Sequence, residues 1–241
     1  MRILKPLPGT LPMPGNPLAD AVCLWPMNSL GNKVFDLGGK RNDGILQGDT
    51  HFTSDRFGSV LDFDGNGDFV NCGSSNLGMD VTQELSFVVL FRLKPGVANS
   101  DIILGKGARY GRPFRLYYTT SSMRFYIRAS SVFSLIYGHS PTNYQWQHAA
   151  GTCVANGGPI KLYKDGILRA SNTSDGGLSF HGTDKYITFG GYWYLSATGF
   201  NAPIQIAHVI MWNRALLSSE IALVFRERFC MFPESRVLFA A

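Results

Sequence analysis

From Ala21 onward, β-branched and aromatic residues fall in short runs, each closed by Gly, Asn or Asp at intervals of about ten residues. No run is long enough for a stack of helices, and about fourteen strands can be counted along the chain. The composition agrees. Aromatics make up 13%, and 27 Gly with 12 Pro supply tight turns. Charged residues reach only 16%, which excludes a disordered tail or a long solvated helix. At 241 residues the chain lies within the range of one large all-β domain.

The sharpest local signal is Ile160-Lys161-Leu162-Tyr163-Lys164, then Asp165-Gly166, then Ile167-Leu168-Arg169-Ala170. Asp-Gly supplies the positive φ that a two-residue hairpin turn requires. A second hairpin joins Phe114–Tyr118 to Met123–Arg128 through a Thr/Ser turn. Alternation places Phe114, Leu116, Phe125 and Ile127 on one face, with Arg115, Tyr117, Arg124, Tyr126 and Arg128 on the other. One helix is expected near the C-terminus. Ser218 or Ser219 would cap it, Glu220 would sit in its first turn, and Ile221, Val224 and Phe225 would form its apolar stripe up to about Arg228.

Prolines 6, 8, 12, 14 and 17 remove donors and fix φ, so residues 1–20 are expected to form an extended arm outside the sheets. Residues 21–229 would form the domain and 230–241 an apolar tail broken by Pro233. Neither a secretory signal nor an apolar run of membrane length is present. The expectation is a protein made in the cytoplasm with no membrane insertion. The formal charge of +5 is scattered, so nucleic acid is not an expected partner. The four cysteines lie far apart and are read as buried thiols.

Several segments in order resemble the laminin-G-like branch of the concanavalin A-like lectin/glucanase superfamily. They begin with Leu24-Trp25-Pro26-Met27 and the loop from Asp36 to Asn42-Asp43-Gly44. Leu61-Asp62-Phe63-Asp64-Gly65-Asn66-Gly67-Asp68-Phe69-Val70 is the most specific stretch. Leu85–Phe91, Ile103–Gly107, Trp146–Thr152, Leu162–Gly166 and Trp212–Ile221 follow. The resemblance implies a two-sheet antiparallel jelly-roll sandwich with one short C-terminal helix. It also implies a calcium site in many relatives. Asp36 and Asp43 remain here as candidate ligands, but Ala207 and His208 stand where an acidic pair is expected, so no cofactor and at most a weak calcium site are expected.

The fold hosts lectins, hydrolases and structural proteins alike, so function must come from the site. Glycoside hydrolysis needs two carboxyl groups a few ångströms apart. The four glutamates (Glu84, Glu220, Glu227, Glu234) form no such arrangement, and Asp62, Asp64 and Asp68 read as turn and strand-end residues. No histidine has metal-ligand or nucleophile-elbow spacing, and His148 reads as a structural imidazole. A non-enzymatic module is therefore expected, with a glycoside hydrolase only a remote alternative. Two candidate recognition sites stand out. One is the stripe Arg115, Tyr117, Arg124, Tyr126 and Arg128; the other is the aromatic run Tyr192, Trp193 and Tyr194. Both suit anionic glycans or a protein interface, because rings stack on sugars and guanidinium groups bind carboxylate or sulfate. The arm, the tail and the missing export signal favour a structural or decorating component of a larger assembly, such as a virus capsid, with self-association and glycan contact open. A free lectin-like protein is the alternative.

Overall fold

The structure is a computed structural model that describes residues 17–73, 83–96, 101–107, 114–128, 132–137, 142–174, 186–191 and 201–227. Its strands form two antiparallel sheets. The first contains β1 (Cys23–Trp25), β5 (His51–Asp55), β6 (Gly58–Asp62), β8 (Glu84–Leu93), β13 (Trp146–Val154), β14 (Pro159–Lys164), β15 (Ile167–Thr173) and β17 (Ile204–Trp212). Their order is β15-β14-β13-β8-β17-β6-β5. The far edge of β17 is shared, with β6 facing Gln205 and Ile206 and β1 facing Val209 to Met211. The second sheet contains β2 (Ser29–Leu30), β3 (Lys33–Val34), β4 (Gly44–Gln47), β7 (Phe69–Asn71), β9 (Asp101–Lys106), β10 (Phe114–Tyr118), β11 (Met123–Arg128), β12 (Val132–Tyr137) and β16 (Ile187–Phe189). It runs β12-β11-β10-β9-β16-β7-β4-β3-β2. The described residues thus hold more strands than the sequence count, because two-residue pieces such as β2 and β3 leave no periodic signal.

Both hairpins form as the turn chemistry dictates. Asp165 and Gly166 take φ of 49° and 75°, and Lys164 pairs with Ile167 across them. Phe114 pairs with Ile127 and Tyr118 with Met123, with Thr119 Oγ1 accepting the Ser122 amide in the turn. Phe114, Leu116, Phe125 and Ile127 all enter the core between the sheets, as alternation requires. There Phe87 meets Phe125 edge to face at 4.9 Å. A Cβ on Gly151 would lie 2.5 Å from the Phe87 ring, so only glycine lets β13 pass so close.

A second apolar cluster lies on the other face of the first sheet. Helix α1 (Ser218–Glu227) covers Val88, Ala150, Ile210 and Trp212 with Ile221 and Val224. Pro17–Asp20, at the end of the segment read as an arm, forms a 3-10 turn and closes the same cluster with Leu18. Trp212 Nε1 donates to the Pro17 carbonyl at 2.6 Å. These four residues therefore pack with the sandwich. The helix cap differs from expectation. Leu217 accepts the first intrahelical bond from Ile221, and Glu220 reaches back to accept the Leu217 amide at 2.8 Å. Ser218 instead meets the Tyr163 hydroxyl at 3.0 Å, so the cap rests on the Glu side chain and not on a serine.

Candidate functional site

The stripe proposed from alternation is assembled, but it is folded onto itself. Arg115 lies opposite Tyr126, and Tyr117 lies opposite Arg124. The Arg115 guanidinium sits 4.3 Å from the Tyr117 ring centroid and 4.6 Å from that of Tyr126. Tyr117 is only 4% exposed and packs on Ile102. Arg115 thus uses the ring faces that a sugar would need, and Arg124 and Tyr126 remain half-buried at its margin. The side chain of Arg128 and residues Tyr192, Trp193 and Tyr194 lie outside the described residues. So do 1–16 and 228–241, on which the assembly expectation rests.

The candidate calcium ligands serve the backbone of their own loop. Asp36 is 4% exposed, and its oxygens accept the amides of Leu24, Gly38 and Asn42, each at 2.7 Å. Asp43 accepts the Asp36 amide at 3.0 Å. Burial raises the Asp36 pKa above the ordinary carboxylate value, while these amides pull the other way. Asp68 accepts the amides of Asp49 and Asp64, and Asp62 accepts Lys94 at 2.5 Å. Asp49, Asp64 and Asp68 bring carboxylate oxygens within 4.8 Å of one another, and burial with these neighbours lifts Asp68 to about 6. Cys23, Cys72 and Cys153 are buried thiols, the last pushed up to about 12 by desolvation. His148 is fully buried, its ring edge to face with Phe225 at 5.3 Å.

A different site emerges where the outer face of the first sheet is not covered by α1. Strand register places Trp146 opposite Arg92, Arg92 opposite Gln205, and Gln205 opposite Asp62. Directly opposed residues share a face, so these side chains form one row across four strands. Arg92 donates to Gln205 Oε1 through Nε at 2.7 Å and also through Nη2, and pairs with Asp55 at 3.1 Å. Gln205 passes the chain on to Asp62. The same guanidinium lies 5.0 Å from the Trp146 ring, whose other neighbour is Phe57, edge to face at 5.0 Å.

Above this row opens a groove of about 450 Å³ lined by Asp55, Arg56, Arg92, Tyr144, Gln145 and Trp146. The turn between β5 and β6 supplies Asp55 and Arg56, and the segment entering β13 supplies the aromatics. Tyr144 adopts φ of +63°, unusual for an aromatic residue, and is 65% exposed. Its amide donates to the Leu93 carbonyl at 2.9 Å, which fixes the segment beside β8. Among the described residues, Trp146 Nε1 and Asp55 Oδ1 are buried without a hydrogen-bond partner. Of the six lining residues only Asp55 carries a carboxyl group, and that group is paired with Arg92. The sequence reading missed this site. Its traces were Arg92 within an otherwise apolar strand and Tyr144 and Trp146 two residues apart.

No curated protein matches the chain. Solved structures match it in fold. The receptor binding domain of botulinum neurotoxin C/D mosaic serotype superposes with a TM-score of 0.68 at 16% identity, covering 87% of this chain and 51% of that one. The binding domain of Paraclostridial Mosquitocidal Protein 1 gives 0.70 at 14% identity, covering 87% and 52%. Trypanosoma rangeli sialidase in complex with sialic acid gives 0.71 at 18% identity, covering 95% and 36%. The chain thus spans about half the length of the toxin domains and little more than a third of the sialidase. Among the described residues no helix is long and apolar enough to cross a membrane. Residues 64–222 match a family model across most of the sandwich, and the chain belongs to the concanavalin A-like lectin/glucanases superfamily.

Proposed function

We propose that the protein is a non-catalytic carbohydrate-binding module and that the groove beside Trp146 is its binding site. The observation that carries this reading is the Trp146–Arg92–Asp55 arrangement under an open groove. The exposed Tyr144 ring and a guanidinium held still by two partners form a preorganised surface for a hydroxyl-rich ligand. Among the described residues the lining carries a single carboxyl group, already paired, and this does not supply the acid and base that hydrolysis needs. Two of the structures with this fold are named as binding domains, which supports a recognition role, while the third is named as a sialidase in complex with sialic acid.

The test is a glycan array probed with the full chain, followed by calorimetric titration of the best saccharides. Tyr144→Ala removes an exposed ring without opening the core and should weaken binding about tenfold, roughly 1.4 kcal/mol. Trp146→Ala should weaken it further. Absence of any saccharide binding, or binding that ignores both substitutions, overturns the proposal.

A further inference from the structure

We infer that the groove selects a sugar carrying a negative charge, and that Arg56, not the central Arg92, reads that charge. The inference rests on the groove being a saccharide site, as proposed above. Arg92 is the conspicuous cation, but its charge is already committed. It pairs with Asp55, donates twice to Gln205 and lies over Trp146. Releasing it toward a ligand would leave Asp55, whose Oδ1 has no partner among the described residues, still less satisfied. Further along the same row, the Asp62 carboxylate is held by Lys94 and Gln205.

Arg56 is in the opposite position. It is exposed at the tip of the turn between β5 and β6, and its guanidinium rests 4.9 Å from the Phe57 ring centroid. Among the described residues no carboxylate pairs with it. Among the described residues the lining therefore holds two guanidinium groups and one carboxylate, and the excess positive charge belongs to Arg56. The aromatic contact restrains this side chain at the rim of the groove, which leaves its forked donors for a planar anion. The ligand that fits is a saccharide whose ring meets the exposed Tyr144 while its carboxylate meets Arg56.

The experiment titrates the full chain with matched pairs of sugars, 3′-sialyllactose against lactose and a glucuronyl disaccharide against its glucosyl counterpart. The acidic member should bind about tenfold tighter. Arg56→Gln should bring the two affinities together, whereas Arg56→Lys, which keeps the charge, should retain a preference. Raised salt should narrow the gap, because the contact is exposed. Equal binding of acidic and neutral members, both lost in Tyr144→Ala, overturns the charge selectivity and leaves the binding module intact. An acidic preference that persists in Arg56→Gln overturns the assignment to Arg56. Failure of every member to bind overturns the module itself, and this inference with it.

Discussion

Replacing Asp36 with Asn tests whether this carboxylate is an organiser of backbone or a ligand of calcium. The wild-type side chain accepts three amides, two on Oδ1 from Leu24 and Gly38 and one on Oδ2 from Asn42. It thereby fastens the loop from 36 to 43 to β1, where Asn42 in turn accepts Trp25 Nε1 at 2.8 Å. An Asn side chain has one acceptor oxygen. In its better orientation it keeps Leu24 and Gly38 and turns an NH₂ group toward the Asn42 amide, leaving a buried donor unpaired at about 1–3 kcal/mol. The two surviving bonds fall from charge-assisted to neutral strength, which adds about 1 kcal/mol or more. Burial outweighs the amides in setting the Asp36 pKa, so relief of the burial cost of the charge offsets the lost charge assistance and the net loss should be about 1–3 kcal/mol. For a domain of this size that is roughly 2–12 °C in Tm. Urea unfolding with an unchanged m-value, together with a thermal melt, would measure it. A loss under about 0.5 kcal/mol would refute the reasoning, being the scale of an uninvolved surface site. So would a wild-type Tm that climbs many degrees with calcium when the Asn variant does not respond, since binding to the native state must stabilise it.

Two further outcomes are expected. A chain beginning at Pro17 should unfold like the full chain. One beginning at Ala21 should lose about 3 kcal/mol, because it gives up buried Leu18 and leaves Trp212 Nε1 without its carbonyl; equal urea midpoints for the two would exclude a packing role for Pro17–Asp20. Asp68 has a native pKa of about 6, above the ordinary Asp value of about 4, so the native state binds the proton more tightly. Its contribution to stability is present below about pH 4 and lost as pH rises through about 6. Asp49→Asn should flatten that slope and raise Tm at neutral pH, and a parallel pH profile for wild type and variant would contradict it.

What the sequence reveals depends on the range of the interaction. The hairpin at Asp165-Gly166 was legible because a positive φ at two adjacent residues has a local chemical signature. The face assignments of β10 and β11 were legible because alternation is a property of each strand alone. Whether the outward face is open is a different matter. Tyr117 and Tyr126 look like free rings in the sequence, yet Arg115 fills the space between them. The groove was hidden for a related reason. Arg92, Trp146 and Gln205 become neighbours only through the register of β8, β13 and β17, which no local pattern reports. The helix cap lies between these extremes, since Glu220 was singled out for its charge near the N-terminus but acts through a hydrogen bond to Leu217.

The placement of β17 also governs the order in which the molecule can be completed during synthesis. Arg92 and its partner Gln205 are 113 residues apart. At about 5–20 residues per second, a ribosome needs roughly 6–20 s to make the intervening stretch. Throughout that interval β8 lacks at least one of its two neighbours, β1 has no strand to join, and β6 is paired on its β5 side alone. Strand β8 is buried along nearly its whole length in the finished protein, so the nascent chain presents one of its most apolar strands with an open edge. Productive folding must therefore wait for the last strand, and a holding chaperone acting within those seconds would decide how much of the polypeptide avoids aggregation.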